Sequence, residues 1–147
     1  MRFSAITTIE QTQDIAKHIA SSVTAGDILL LFGTLGAGKT ALVKSIAEAL
    51  GVKEEVTSPT FSLMNTYAVA PPYNTIKKIV HIDTYRSNSP EEFLDIGIEE
   101  YLHDPEALIC IEWPELLEDI LAPLSTKKIY ITQPSPGVRE IELSWIV

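Results

Sequence analysis

The chain has 147 residues, enough to bury an apolar core without disulfides or structural metals, and one domain over residues 1–147 is expected. Twenty acidic side chains face 11 Lys and Arg, for a formal net charge of −9, which argues against unaided capture of nucleic acid and leaves RNA to a partner. No apolar run approaches the roughly 18 residues needed to span a bilayer, and Met1-Arg2-Phe3-Ser4 does not open a secretory leader, so a cytoplasmic protein without membrane contact is expected.

In chain order, Phe3 to Thr7 reads as a short strand and Thr8-Ile9-Glu10-Gln11 as a capping box opening a helix to about Val23. Ile9, Ala16, Ile19, Ala20 and Val23 recur at spacings that suit its buried face. Ala25-Gly26-Asp27 breaks the pattern. Ile28 to Phe32 is a continuous apolar run, as in a strand covered on both faces of a parallel sheet. From Lys39, the residues Ala41, Leu42, Val43, Ile46, Ala47 and Leu50 make an amphipathic helix stopped by Gly51.

Val56 to Phe61 reads as loop, Ser62 to Tyr67 as extended, and Ala70-Pro71-Pro72-Tyr73-Asn74 as a surface excursion. Ile79 to Asp83 and Ala107 to Glu112 read as strands that each finish on an acid, with short helices at Pro90 to Leu94 and Ile98 to Leu102 between them. Pro114 suits the first turn of a helix running to about Leu121, and Lys128 to Thr132 and Glu140 to Ile146 alternate as strands. Alternating strands and helices predict an α/β sandwich around a central, mainly parallel sheet with some antiparallel strands near the end. Cys110, the single cysteine, lies in an apolar strand and reads as a core residue, and His18, His81 and His103 have no metal-ligand spacing.

Gly33-Thr34-Leu35-Gly36-Ala37-Gly38-Lys39-Thr40 satisfies G-x-x-x-x-G-K-[ST] between a strand and a helix. In that pattern the N–H groups of the loop and helix start, here Leu35 to Ala41, point at phosphate oxygens, the lysine reaches the β- and γ-phosphates, and the hydroxyl of Thr40 serves Mg²⁺. Such a fold also needs an acid near the metal at a strand end, and both Asp83 and Glu112 qualify, either to hold Mg²⁺ through water or to orient an attacking water. Ser58-Pro59-Thr60-Phe61 follows the helix, where nucleotide switch segments bring a hydroxyl toward the γ-phosphate, although Ser-Pro-Thr also occurs in ordinary turns.

The blocks GTLGAGKT at Gly33 to Thr40, VTSPTF at Val56 to Phe61, HIDTYR at His81 to Arg86, DIGIEEYL at Asp95 to Leu102 and ICIEWP at Ile109 to Pro114 together resemble the bacterial TsaE, or YjeE, family. The resemblance spans nearly the whole chain. It implies a P-loop fold, binding of ATP and Mg²⁺, slow ATPase activity, and action with TsaB and TsaD in threonylcarbamoyladenosine biosynthesis in tRNA, where the ATPase resets the complex between turnovers and tRNA is met only through it. TsaD performs the transfer and TsaB is its non-catalytic companion.

Carried onto this chain, the family pattern implies phosphate binding by Lys39, metal service by Thr40 and Glu112, a switch and metal region at Thr60 and Asp83, and the tryptophan beside the acid at Trp113. It also implies nucleotide contacts near Glu10 to Thr12 and near Gly137. Thr34 departs from the aspartate common in the family. Two other functions share a phosphate cradle. A small-molecule kinase would want several arginines, and the chain has Arg2, Arg86 and Arg139; a GTP-dependent switch would want N-K-x-D, which is absent from the sequence.

Overall fold

The computed structural model describes residues 1–59 and 62–147. Thr60, the switch-segment candidate, and Phe61 lie outside the described residues. The elements are strand β1 (Arg2–Ile6), helix α1 (Ile9–Ser22), β2 (Ile28–Phe32), α2 (Lys39–Ala49), β3 (Met64–Tyr73), β4 (Ile76–Asp83), α3 (Glu91–Asp95), α4 (Ile98–Leu102) and β5 (Ala107–Glu112). A 3-10 turn (Pro114–Leu117), α5 (Glu118–Leu121), β6 (Lys127–Ser135) and β7 (Val138–Leu143) complete the chain.

The strands form one seven-stranded sheet in the order β1-β7-β6-β2-β5-β4-β3. Its centre is parallel, since β2 pairs in parallel with β5 and β6, and β5 with β4. The pairs β1 with β7, β6 with β7 and β3 with β4 are antiparallel. The predicted α/β sandwich around a parallel centre is therefore the observed fold, with antiparallel pairs at both edges.

Strand alternation sorts the apolar residues into two layers. Leu29 and Leu31 of β2 and Leu108 and Cys110 of β5 pack with α1 and α2, whereas Ile28, Leu30, Ile109 and Ile111 pack on the other side with Phe93, Ile98 and Leu102 of the short helices. Being covered on both faces explains why β5 has no exposed residue and why its sequence shows no polar alternation. The same alternation puts His81 and Asp83 on the face of Ile79, and Glu112 on the face of Cys110, both beneath α2.

The capping box of α1 is present. Gln11 N–H donates to the Thr8 hydroxyl at 3.1 Å and Thr8 N–H donates to Gln11 Oε1 at 3.1 Å. Ile9 departs from the expected buried stripe: it is 77% exposed, and Ile15 joins Ala16, Ile19 and Ala20 inside. Periodicity puts Ile9 on the right side, but the first turn of α1 borders a cavity beside α2 instead of packed core.

The expected excursion at 70–74 is a correction too, because β3 continues through Pro71 and Pro72 to Tyr73. An edge strand tolerates proline since its outward N–H groups need no ladder partner. Asn74 and Thr75, both at positive φ, then turn the chain directly into β4. After Pro114 a 3-10 turn precedes α5 in place of a single helix, and β7 stops at Leu143 instead of 146.

The loop from β2 to α2 shows what its glycines do. A Cβ on Gly33 would lie 2.7 Å from the carbonyl oxygen of Ile131 in β6, so the first glycine lets the loop leave against the neighbouring strand. Gly38 caps α2 at φ +107°, and a Cβ there would come within 2.9 Å of Arg139 Nε. That guanidinium donates from Nε to the Ala37 carbonyl at 2.7 Å and ties β7 to the loop.

Two substitutions separate packing from loop geometry. Ile46→Ala, at a fully buried position of α2, is expected to lower the unfolding free energy by about 2–5 kcal/mol through the cavity it leaves. Gly38→Ala should cost about 1–3 kcal/mol by straining the backbone and displacing Arg139. Urea denaturation checks both, and an unchanged midpoint for Gly38→Ala would show that the loop accepts a side chain.

Candidate nucleotide-binding site

Parallel strands release their side chains at one edge of the sheet, and ligands of open α/β folds collect at that carboxyl edge. Register does this here: Asp83 is the partner of Glu112, and Glu112 of Leu31 just ahead of the glycine loop. A cavity of about 520 Å³ opens at this edge, lined by the loop and α2 from Leu35 to Ala41, by Ser58 and Pro59, and by Asp83, Glu112 and Trp113. Gly33 and Ala37 do not line it; Ala37 is buried and Gly33 contributes its carbonyl.

Lys39 is 4% exposed, and its ammonium donates to the carbonyls of Gly33 at 2.6 Å and Thr34 at 3.0 Å. It lies 3.9 Å from the centroid of the Trp113 ring, within cation–π range. Burial pulls its pKa below the ordinary lysine value, while Glu112, Asp83 and Glu115 oppose that shift. The lysine is thus a desolvated donor held by loop carbonyls, a state in which anionic oxygens compete favourably for it.

Trp113 holds its position through a rarely populated backbone, φ +56° in the left-handed region, directly after the buried strand. Thr84 fastens this corner, its hydroxyl donating to the Trp113 carbonyl at 2.5 Å and its N–H to the Glu112 carbonyl at 3.3 Å. The Tyr85 ring packs 5.1 Å from the indole, centroid to centroid. The turn that aims the indole at Lys39 also explains why a regular helix does not start at Pro114.

Glu112 is 2% exposed, and the Thr40 hydroxyl lies 2.8 Å from its Oε1 and 3.0 Å from its Oε2. His81 Nε2 approaches Oε2 at 2.5 Å. Asp83 keeps different company: it accepts from the Ser58 hydroxyl at 3.1 Å and from the N–H of Tyr85 at 3.0 Å. The two acids that sequence leaves equivalent therefore differ by neighbour, one bound to the first turn of α2 and the other to the Ser-Pro segment.

Among the described residues no cluster of three or more His, Cys, Asp or Glu side chains could hold a metal alone. A hydroxyl beside a carboxylate instead suits Mg²⁺, a hard cation that takes a few protein oxygens and completes its shell with water and phosphate. Cys110 is not a ligand candidate; burial, with Glu112 nearby, pushes its thiol up to about 12.

A second cavity, about 140 Å³, continues past Gly38 and Ala41 to Thr12, Ser45 and Arg139. Thr12 thus stands near the loop, whereas Glu10 and Gly137 line neither cavity and are exposed. Sequence reasoning missed Arg139 and His81 as site neighbours, along with Arg86, which lines the larger cavity. The available signals were slight: scarce arginines in an acidic chain, and a histidine two residues before a strand-end acid.

Comparison with known proteins gives the family and the fold. The family model described as "Threonylcarbamoyl adenosine biosynthesis protein TsaE" matches residues 6–141. The "tRNA threonylcarbamoyladenosine biosynthesis protein TsaE" of Bacillus subtilis is 39% identical over 90% of this chain and 78% of its own length. The protein of the same name from Rickettsia felis is 41% identical over 78% of this chain, which spans 63% of that relative. Among solved structures, Bacillus subtilis YdiB superposes with a TM-score of 0.71 at 31% identity, covering 96% of this chain and 82% of that one. This P-loop chain belongs to the TsaE family.

Proposed function

We propose that this chain is the Mg²⁺-dependent ATPase subunit of tRNA threonylcarbamoyladenosine biosynthesis, working in the cytoplasm with TsaB and TsaD and resetting their complex between rounds of modification. Family membership supports the pathway, which is the one named for its relatives. The observation that carries the chemistry is the Thr40 hydroxyl resting on the buried Glu112 carboxylate, beside the glycine loop and Lys39.

In this reading the loop N–H groups and the start of α2 hold the phosphate chain, and Lys39 exchanges the carbonyls of Gly33 and Thr34 for β- and γ-phosphate oxygens. Because the Thr40 hydroxyl has one proton and gives it to Glu112, its oxygen keeps lone pairs for a metal. Magnesium, when bound, would neutralise charge on the phosphate chain. Glu112 completes the metal end, while Asp83, linked to Ser58, couples the γ-phosphate region to the switch segment that includes Thr60.

The smaller cavity takes the nucleoside between Thr12 and Arg139, and the contacts expected at Glu10 and Gly137 lie outside its lining. Trp113 covers the phosphate end and keeps Lys39 desolvated. A net charge of −9 fits tRNA being met through partners.

Mg-ATP at about 100 times its dissociation constant should stabilise the fold by about 2.7 kcal/mol, a melting shift of roughly 5 to 10 °C at this size. Lys39→Ala should abolish most of that shift, and GTP should reproduce little of it; equal protection of the variant would refute the phosphate site. Glu112→Gln should lower ATP turnover at least tenfold at limiting Mg²⁺, and because its amide NH₂ meets the Thr40 or the His81 donor it should also lower the ligand-free melting temperature. With purified TsaB and TsaD, ATP turnover should rise without any phosphorylated acceptor, and repeated tRNA modification should require this chain. Full-rate modification without it would remove the pathway assignment and leave nucleotide binding intact.

A further inference from the structure

His81 is fully buried in β4, next to Cys110 of β5 and Asn65 of β3 in the sheet register. Its Nε2 meets Glu112 Oε2 at 2.5 Å, and its Nδ1 is buried with no hydrogen-bond partner among the described residues. Those two facts fix the tautomer. A carboxylate oxygen accepts, so the proton belongs on Nε2; placed on Nδ1 it would be a buried donor without an acceptor, the more costly arrangement. The imidazole therefore spends its one N–H on Glu112.

A histidine serving only to fill the core would have no need to aim its ring edge at the acid beside the glycine loop. Glu112 has a rotatable carboxylate, and Thr40, whose one proton is within reach of either oxygen at 2.8 and 3.0 Å, does not by itself choose between them. A second donor on Oε2 from the neighbouring strand does. Fixing that rotation decides where the Thr40 proton points and hence which way its oxygen lone pairs face.

We infer that His81 is a positioning residue for the metal end of the site, acting through Glu112 by the Nε2–H to Oε2 bond. The inference rests on the assignment of Thr40 and Glu112 to Mg²⁺ made above. His81 touches neither nucleotide nor metal in this role; it holds the carboxylate and, through it, the hydroxyl. Donors behind a metal-site carboxylate typically matter by 10- to 100-fold in metal affinity.

The test uses Gln, Asn and Leu at position 81 in the full chain. Glutamine carries an amide nitrogen at about the reach of Nε2, asparagine only at that of Nδ1, and leucine has no donor. The readout is the Mg²⁺ concentration giving half-maximal thermal protection at a fixed saturating ADP concentration, beside the affinity for ADP without metal. His81→Gln should stay within about threefold of the parent, while His81→Asn and His81→Leu should need about tenfold more Mg²⁺ or beyond, and metal-free ADP affinity should be unchanged in all three. Parent-like Mg²⁺ dependence of the Asn and Leu variants overturns the role of His81, as does a Gln variant impaired as deeply as Leu. Should Asn and Leu prevent folding, the Gln variant decides alone: rescue within threefold supports positioning and a tenfold loss overturns it. If ADP protects the parent chain equally with and without Mg²⁺, the metal assignment of Thr40 and Glu112 falls and this inference falls with it.

Discussion

A carboxylate removed from water has to be met by hydrogen-bond donors, and Glu112 imposes that requirement on everything around it. It stands at the end of β5, where the sheet is covered on both sides, so its donors must come from elements packed directly against that strand. Thr40 on α2 and His81 on β4 supply them. Satisfying one buried acid therefore fixes the relative placement of the glycine-loop helix and two central strands.

The Lys39 region adds the complementary charge. Its ammonium is desolvated but not unsatisfied, since loop carbonyls and an indole face surround it. Those contacts are neutral, and a phosphate oxygen offers a charge-assisted bond in their place. The left-handed backbone at Trp113 is the local strain that supports this arrangement, with Thr84 and Tyr85 holding it from the next strand end.

Much of the scaffold was legible because its signals are local. The capping box of α1, the apolar runs of β2 and β5 and the amphipathic stripe of α2 depend on residues within a turn or two of one another. Where local pattern misled, a tertiary circumstance intervened: Ile9 fell over a cavity, and prolines 71 and 72 landed on an edge strand where they are tolerated. The candidate site was legible where it is contiguous, from Gly33 to Ala41 and at strand-end acids, and the distinct surroundings of Asp83 and Glu112 were not.

By itself the sequence determined the glycine loop between a buried strand and a helix, the two acids closing apolar strands, and the family pattern that joins them, because each is a matter of residue type and short spacing. Only the tertiary structure decided that β4 and β5 lie side by side in a register that levels Asp83 with Glu112, that His81 turns its ring to the acid, and that Arg139 returns across 102 positions to the Ala37 carbonyl. Strand order and long-range pairing leave no periodic trace along a chain. They are set by which buried faces and polar groups can be satisfied together, and that is settled only when the whole sheet has closed.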